Sequence, residues 1–163
     1  MLCKKLHHAA FRCKDARETV EFYTKVLGLK FAHAMGEDHV PSTGKYSPHV
    51  HVFLEMEDGS SIAFFECPND PGHVKDMESP DWIQHFAFEV ESLDALLKAK
   101  ADMEAKGVAC SPIHEERWGS LTQVTLPGGG KLGVYQPKHG RPPKAGSSPQ
   151  KAKRKNKRPT GSR

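Results

Sequence analysis

The side chains best placed to do chemistry are two histidines and a glutamate in strand-like runs. His8 opens the run His-Ala-Ala-Phe-Arg, His85 opens His-Phe-Ala-Phe-Glu, and Glu66 ends Ile-Ala-Phe-Phe-Glu. Alternate side chains of a strand point to opposite faces, so His8 shares a side with Ala10 and Arg12, and His85 with Ala87 and Glu89. The two runs match at an offset of 77 residues. If the equivalent faces meet, both imidazoles point into one cleft. Glu66 sits in a stretch otherwise too apolar to hold an unpaired charge comfortably. Two imidazoles and one carboxylate are a ligand set for Fe(II), Mn(II), Ni(II) or Zn(II). The plainer alternative makes each histidine a hydrogen-bonded structural residue and pairs Glu66 with an arginine.

The surrounding elements repeat as well. Residues 6–12 read as a strand, Asp15 as a helix cap with Glu18 three positions on, and Gly28 as the helix stop. Strands are expected at 29–34, 49–55 and 61–67, with a polar loop before the second and a hairpin turn at Asp58-Gly59. After a connector the same order returns: a strand at 83–90, a helix over 93–106 capped by Ser92 and stopped by Gly107, then strands at 108–113, 121–126 and 131–136. The turn before the last strand is Pro127-Gly-Gly-Gly130. Gly28 and Gly107 close the two helices at an offset of 79. An α+β fold of two tandem βαβββ modules, related by duplication, is predicted. The modules span 5–67 and 82–137, joined by a connector at 68–81.

Charge divides the chain differently. Residues 138–163 hold ten of the 24 basic residues and no acid, which leaves 14 basic residues against 20 acidic ones, a net −6, for residues 1–137. The tail also lacks Leu, Ile, Val and aromatic residues, so it has too little apolar surface to offset the entropy of ordering and is expected to be disordered. Its polybasic run, 151–158, suits weak, salt-sensitive contact with nucleic acid or another anionic surface. No aromatic is interleaved for base stacking, which argues against a dedicated nucleic-acid module. No apolar run approaches the ~20 residues a transmembrane helix needs, and no secretory leader is visible at the N-terminus. Four cysteines without CxxC spacing read as reduced thiols, so a cytoplasmic location is expected.

His8-Ala-Ala-Phe-Arg12 followed by Glu21-Phe-Tyr-Thr-Lys-Val-Leu-Gly-Leu-Lys-Phe31 resembles the first module of the vicinal oxygen chelate superfamily. That group includes glyoxalase I, extradiol dioxygenases and antibiotic-resistance proteins. The resemblance covers about residues 5 to 137. It implies paired βαβββ modules forming an incomplete barrel around one divalent metal, a small-molecule substrate and a homodimer. It places metal ligands at His8, Glu66 and His85. The fourth ligand position, a glutamate on the last strand, falls on Gly133, which has no side chain to coordinate with. Tyr135 shares that face, where a phenol can ligate the metal, donate a proton or fill the gap, the last two being favoured because tyrosinate is a rare ligand.

Two histidines and a carboxylate resemble the ligand set of oxygen-activating iron sites, so the expected activity is an extradiol-type ring cleavage with Fe(II) or Mn(II), Zn(II) and Ni(II) being open as well. Glyoxalase- or lyase-type isomerisation and metal-free ligand binding of the resistance type are the alternatives. His51 is the candidate acid/base, since alternation sets His49, His51, Phe53 and Glu55 on one face. Arg12 suits an anionic group of the substrate. Phe53 and Phe64 suit an aromatic one, or serve as ordinary core.

Overall fold

The computed structural model describes residues 5–70, 85–115, 119–126 and 130–137. The polybasic tail, most of the connector and the Pro127-Gly-Gly turn lie outside the described residues. The elements run β1 (His8–Arg12), α1 (Ala16–Glu21) with a π-helical turn (Phe22–Val26), β2 (Lys30–His39), β3 (Tyr46–Glu55), β4 (Ser61–Glu66), β5 (His85–Glu89), α2 (Leu93–Ala105), β6 (His114–Glu115), β7 (Gly119–Thr125) and β8 (Lys131–Pro137). They form two four-stranded mixed sheets of the same order, β1-β4-β3-β2 and β5-β8-β7-β6. In each, the first strand pairs parallel to the last and the other pairings are antiparallel. The duplication read from the sequence is therefore a duplication of topology.

Local signals explain the helices. The Asp15 side chain accepts a hydrogen bond from Glu18 N–H at 2.7 Å, and that of Ser92 accepts one from Ala95 N–H at 3.1 Å. Both caps satisfy a donor that the first helical turn leaves unpaired. Gly28 and Gly107 adopt φ of +79° and +80°, the left-handed conformation that glycine reaches without a Cβ clash. The first helix is not α throughout: its second half widens into the π turn.

Three strands differ from expectation. β2 and β3 form a hairpin longer than predicted, because residues 35–39 pair although their composition is polar, with register shifts between Phe31 and His33 and between Glu37 and His39. Every residue of β2 is exposed, so no apolar alternation marks its end. The strand expected at 108–113 is reduced to one bridge, Cys110 to Val124, before the two-residue β6. Pro112 has no N–H for the ladder, and side chains substitute for it. Ser111 Oγ accepts from Gln123 N–H at 3.0 Å, and Thr122 Oγ1 donates to Ser111 O at 2.7 Å.

One apolar core joins both halves. Tyr23, Val52, Leu54, Ile62 and Phe64 of the first half and Leu96, Met103, Val124, Leu132 and Val134 of the second belong to a single buried cluster. Phe11 stacks on Phe86 with ring centroids 5.3 Å apart, tying β1 to β5. Among the described residues no helix is long and apolar enough to cross a membrane.

Candidate functional site

Register decides which predicted site residues meet. β1 and β4 pair with His8 opposite Ser61, Ala10 opposite Ala63 and Arg12 opposite Phe65. In a parallel pair, residues in register share a face. β3 adds His51 beside Phe65 and Phe53 beside Ala63. His8, Arg12, His51, Phe53, Ala63 and Phe65 therefore occupy one face of the first sheet. Ile62, Phe64 and Glu66 occupy the other, against α1.

Two predicted assignments are corrected by that parity. Phe64 does not line a substrate site: it is buried in the core with its ring 4.9 Å from Tyr23. Glu66 faces away from His8, and its Oε2 accepts a hydrogen bond from Ala16 N–H at 2.7 Å. It satisfies the start of α1, where a carboxylate is favoured by the unpaired N–H groups and the helix dipole.

The other face of the first sheet is paved with rings. His51 stacks on Phe65 at 3.6 Å between centroids and lies 4.2 Å from Phe53. His8 edges onto Phe53 at 5.4 Å and lies 6.4 Å from His51. His33 stacks on Phe53 from β2 at 4.3 Å. His51 is buried, and its Nε2 has no hydrogen-bond partner among the described residues. Burial pushes its pKa down, and the nearby His8, His49 and His33 push the same way, so the ring is neutral at pH 7. Arg12 is engaged by Asp70, whose carboxylate lies 3.4 Å from the guanidinium.

The second sheet shows what the first has changed. His85 pairs with Lys131, Ala87 with Gly133 and Glu89 with Tyr135. The two sheets then correspond residue by residue: His8 with His85, Ala10 with Ala87, Ala63 with Gly133 and Phe65 with Tyr135. The vacant ligand position on β8 thus has its counterpart at Ala63 on β4, not at Glu66. Both positions carry small buried residues. The model of the Glyoxalase/Bleomycin resistance protein/Dioxygenase superfamily matches residues 5–132. The chain belongs to this superfamily. The uncharacterised protein YwkD of Bacillus subtilis is 29% identical over 116 residues, which are 71% of this chain and 82% of YwkD. A glyoxylase/bleomycin resistance protein/dioxygenase domain from Frankia superposes with a TM-score of 0.67 at 18% identity, over 83% of this chain and 99% of that one. TnmS3, an antibiotic-binding protein from Streptomyces, superposes with a TM-score of 0.60 at 15% identity, over 84% and 98%. At these identities the two structures establish the fold.

Vicinal oxygen chelate proteins generally bind a divalent metal, and the residues here can be tested against one. The outward faces retain an imidazole from each sheet, His8 and His85. They carry no carboxylate at either Ala63 or Gly133, and Glu66 is committed to α1. Among the described residues no group of three or more His, Cys, Asp or Glu side chains is arranged to hold a metal. The described donor set does not fit a two-histidine, one-carboxylate centre.

Sequence reasoning missed Phe65, His33 and the equivalence of Ala63 with Gly133. A signal for the last was present: Ile62-Ala-Phe-Phe65 aligns with Leu132-Gly-Val-Tyr135 at an offset of 70.

Proposed function

We propose that this chain is a small-molecule-binding member of the superfamily, holding a flat, oxygen-bearing aromatic ligand against the ring-paved face of the first sheet without a metal. The carrying observation is that small side chains, Ala63 and Gly133, occupy the matched positions where a pair of metal carboxylates would stand. Phe53, Phe65 and His8 offer stacking surface, and such ring pairs contribute about 0.5–1.5 kcal/mol each beyond burial. The neutral His51 has one ring nitrogen unpaired. A buried polar atom in that state costs about 1–3 kcal/mol, which a ligand hydroxyl or carbonyl would relieve. Arg12 can offer its charge to an anionic ligand group by exchange with Asp70. Tyr135, on the equivalent face of the second sheet, supplies a further phenol.

A second reading keeps the metal. His8 and His85 are retained at equivalent register, which favours a metal-dependent enzyme of the extradiol-dioxygenase, lyase or isomerase type, with Fe(II) or Mn(II) bound through those imidazoles. This reading needs its carboxylate from beyond the described residues. A homodimer accompanies either reading: Phe31, Met35, Tyr46 and Val50 are exposed apolar side chains of the β2–β3 hairpin that a partner would cover.

Calorimetric titration of the full chain with catechols and hydroxyquinones, in EDTA and in Mn(II), separates the readings. The binding reading predicts equal affinity in both buffers and about a tenfold loss in Phe65→Ala, the 1.4 kcal/mol of one stacked ring. Binding that appears only with Mn(II) supports the enzyme.

A further inference from the structure

A cavity of about 1060 Å³ is lined by both halves, from the end of the first helix to the last turns of α2. Its floor is apolar, from Leu27 and Leu29 after the π turn to Phe88, Val90 and Met103 of the second half. Its walls are acidic. Glu55, Glu57, Asp58, Glu89, Glu91 and Asp102 line it against only Lys30 and Lys106.

Among the described residues most of these carboxylates form no ion pair, although Lys5 Nζ donates to Asp58 O at 2.9 Å and adds to the Ser60 hydrogen bonds that hold the Asp58 carboxyl down. Asp102 pairs with Lys98 at 2.5 Å, whereas Glu55, Glu57, Glu89 and Glu91 make no ion pair among the described residues. Asp58 Oδ1 accepts hydrogen bonds from Ser60 Oγ and N–H, which hold its carboxyl below the usual range and keep it ionised. Lys106 donates to Val26 O at 3.1 Å across the junction. A cleft with this rim selects a polycation, and its floor accepts the methylene stems of lysine and arginine.

The chain supplies such a polycation beside the cleft. Val90 N–H donates to Tyr135 O at 2.9 Å, so the end of β8 is held against the segment whose Glu89 and Glu91 line the wall. The last described residue, Pro137, is two positions further on. Beyond it come 26 residues with ten positive charges and no acid, against a body of net −6. We propose that this basic tail docks in cis along the acidic cleft between the two halves.

Reach is not limiting. Lys151 lies thirteen residues beyond Lys138, and a flexible chain of that length would have a root-mean-square span of about 20 Å. Tethering at that length gives an effective concentration on the order of millimolar, so individually weak contacts suffice. Docking of this kind also competes with any anionic polymer for residues 151–158.

The test uses the full chain at low concentration. Zero-length carbodiimide cross-linking at 20 mM salt, mapped by mass spectrometry, should join tail lysines to Glu57, Asp58, Glu89 and Glu91 within monomer-sized product. At 1 M salt, where the screening length falls to about 3 Å, these links should drop at least fivefold. The variant Glu57→Gln/Glu89→Gln/Glu91→Gln changes only exposed side chains. Its tail should be cut by trypsin about tenfold faster than that of the unchanged chain at low salt, with far-UV circular dichroism the same. Three outcomes overturn the proposal: links spread evenly to remote carboxylates such as Glu18 and Glu37, links found only between chains, or equal tail cleavage in both proteins.

Discussion

The two outward sheet faces began from one plan and now differ at most of their contact positions. Where the first sheet has Phe53, His51 and Phe65, the second has Gln123, Leu121 and Tyr135 at the same register. Besides His8 and His85, the residues kept in common are those that set geometry. Gly28 and Gly107 terminate the helices with nearly equal φ, and Ala10 and Ala87 leave room on the edge strands. The helix caps keep their role with different residues, Asp15 and Ser92. Duplication has preserved the scaffold while the outward side chains diverged, in keeping with function residing in a site grafted on a fold. Under the binding reading proposed above, this asymmetry assigns the ligand to the first sheet.

The sharpest way to break this comparison is to put a carboxylate back. Ala63 is fully buried, so Ala63→Glu is expected to destabilise the protein by about 3–5 kcal/mol, read as a fall in the urea midpoint. Added Mn(II) should not restore it. Recovery by metal would mean that the face still holds a working centre with His8 and His85. At the matched position of the second sheet, a Cβ on Gly133 would stand 3.2 Å from the Cβ of Ala87, so Gly133→Ala should also lower stability, by a smaller amount.

A smaller effect separates Glu66 from the metal question. As a partner of the first turn of α1, Glu66→Ala should cost about 1 kcal/mol, the usual value of a lost helix-start acceptor. The loss should be the same in EDTA and in metal. A cost that depends on metal would return Glu66 to the ligand set.

The smallest effect is one of pH. His51 has its pKa lowered in the folded protein, so the unfolded chain binds the proton more readily. The stability this contributes is present above the unfolded value of about 6.5 and is lost as pH falls through the folded value. Denaturation followed from pH 7.5 downward should show stability declining below pH 6.5, and His51→Leu should flatten that part of the curve. Leu121 marks the substitution as one the second sheet already carries.

Much of this was legible in the sequence because it rests on local rules. Caps, stops and the alternation of His8 with Ala10 and Arg12 need only neighbouring residues. The face taken by Glu66 was not legible, since it depends on which residue of β4 aligns with His8, a pairing made across more than fifty residues. Counting along one strand cannot supply that parity. The extent of the β2–β3 hairpin escaped for a related reason: Glu37, Asp38 and His39 are solvated on both sides and show no alternation. Phe65 was within reach, because it shares a face with Ala63 two residues before it, but the apolar run 62–65 reads equally well as core.

Metal stoichiometry tests the central claim most directly. The full chain, purified without oxygen and then dialysed against Fe(II) or Mn(II), should be measured by elemental analysis beside His8→Ala and His85→Ala. Metal well below one per chain, unchanged in both variants, is the predicted result. One metal per chain that disappears in either variant would contradict a ligand site built from rings alone.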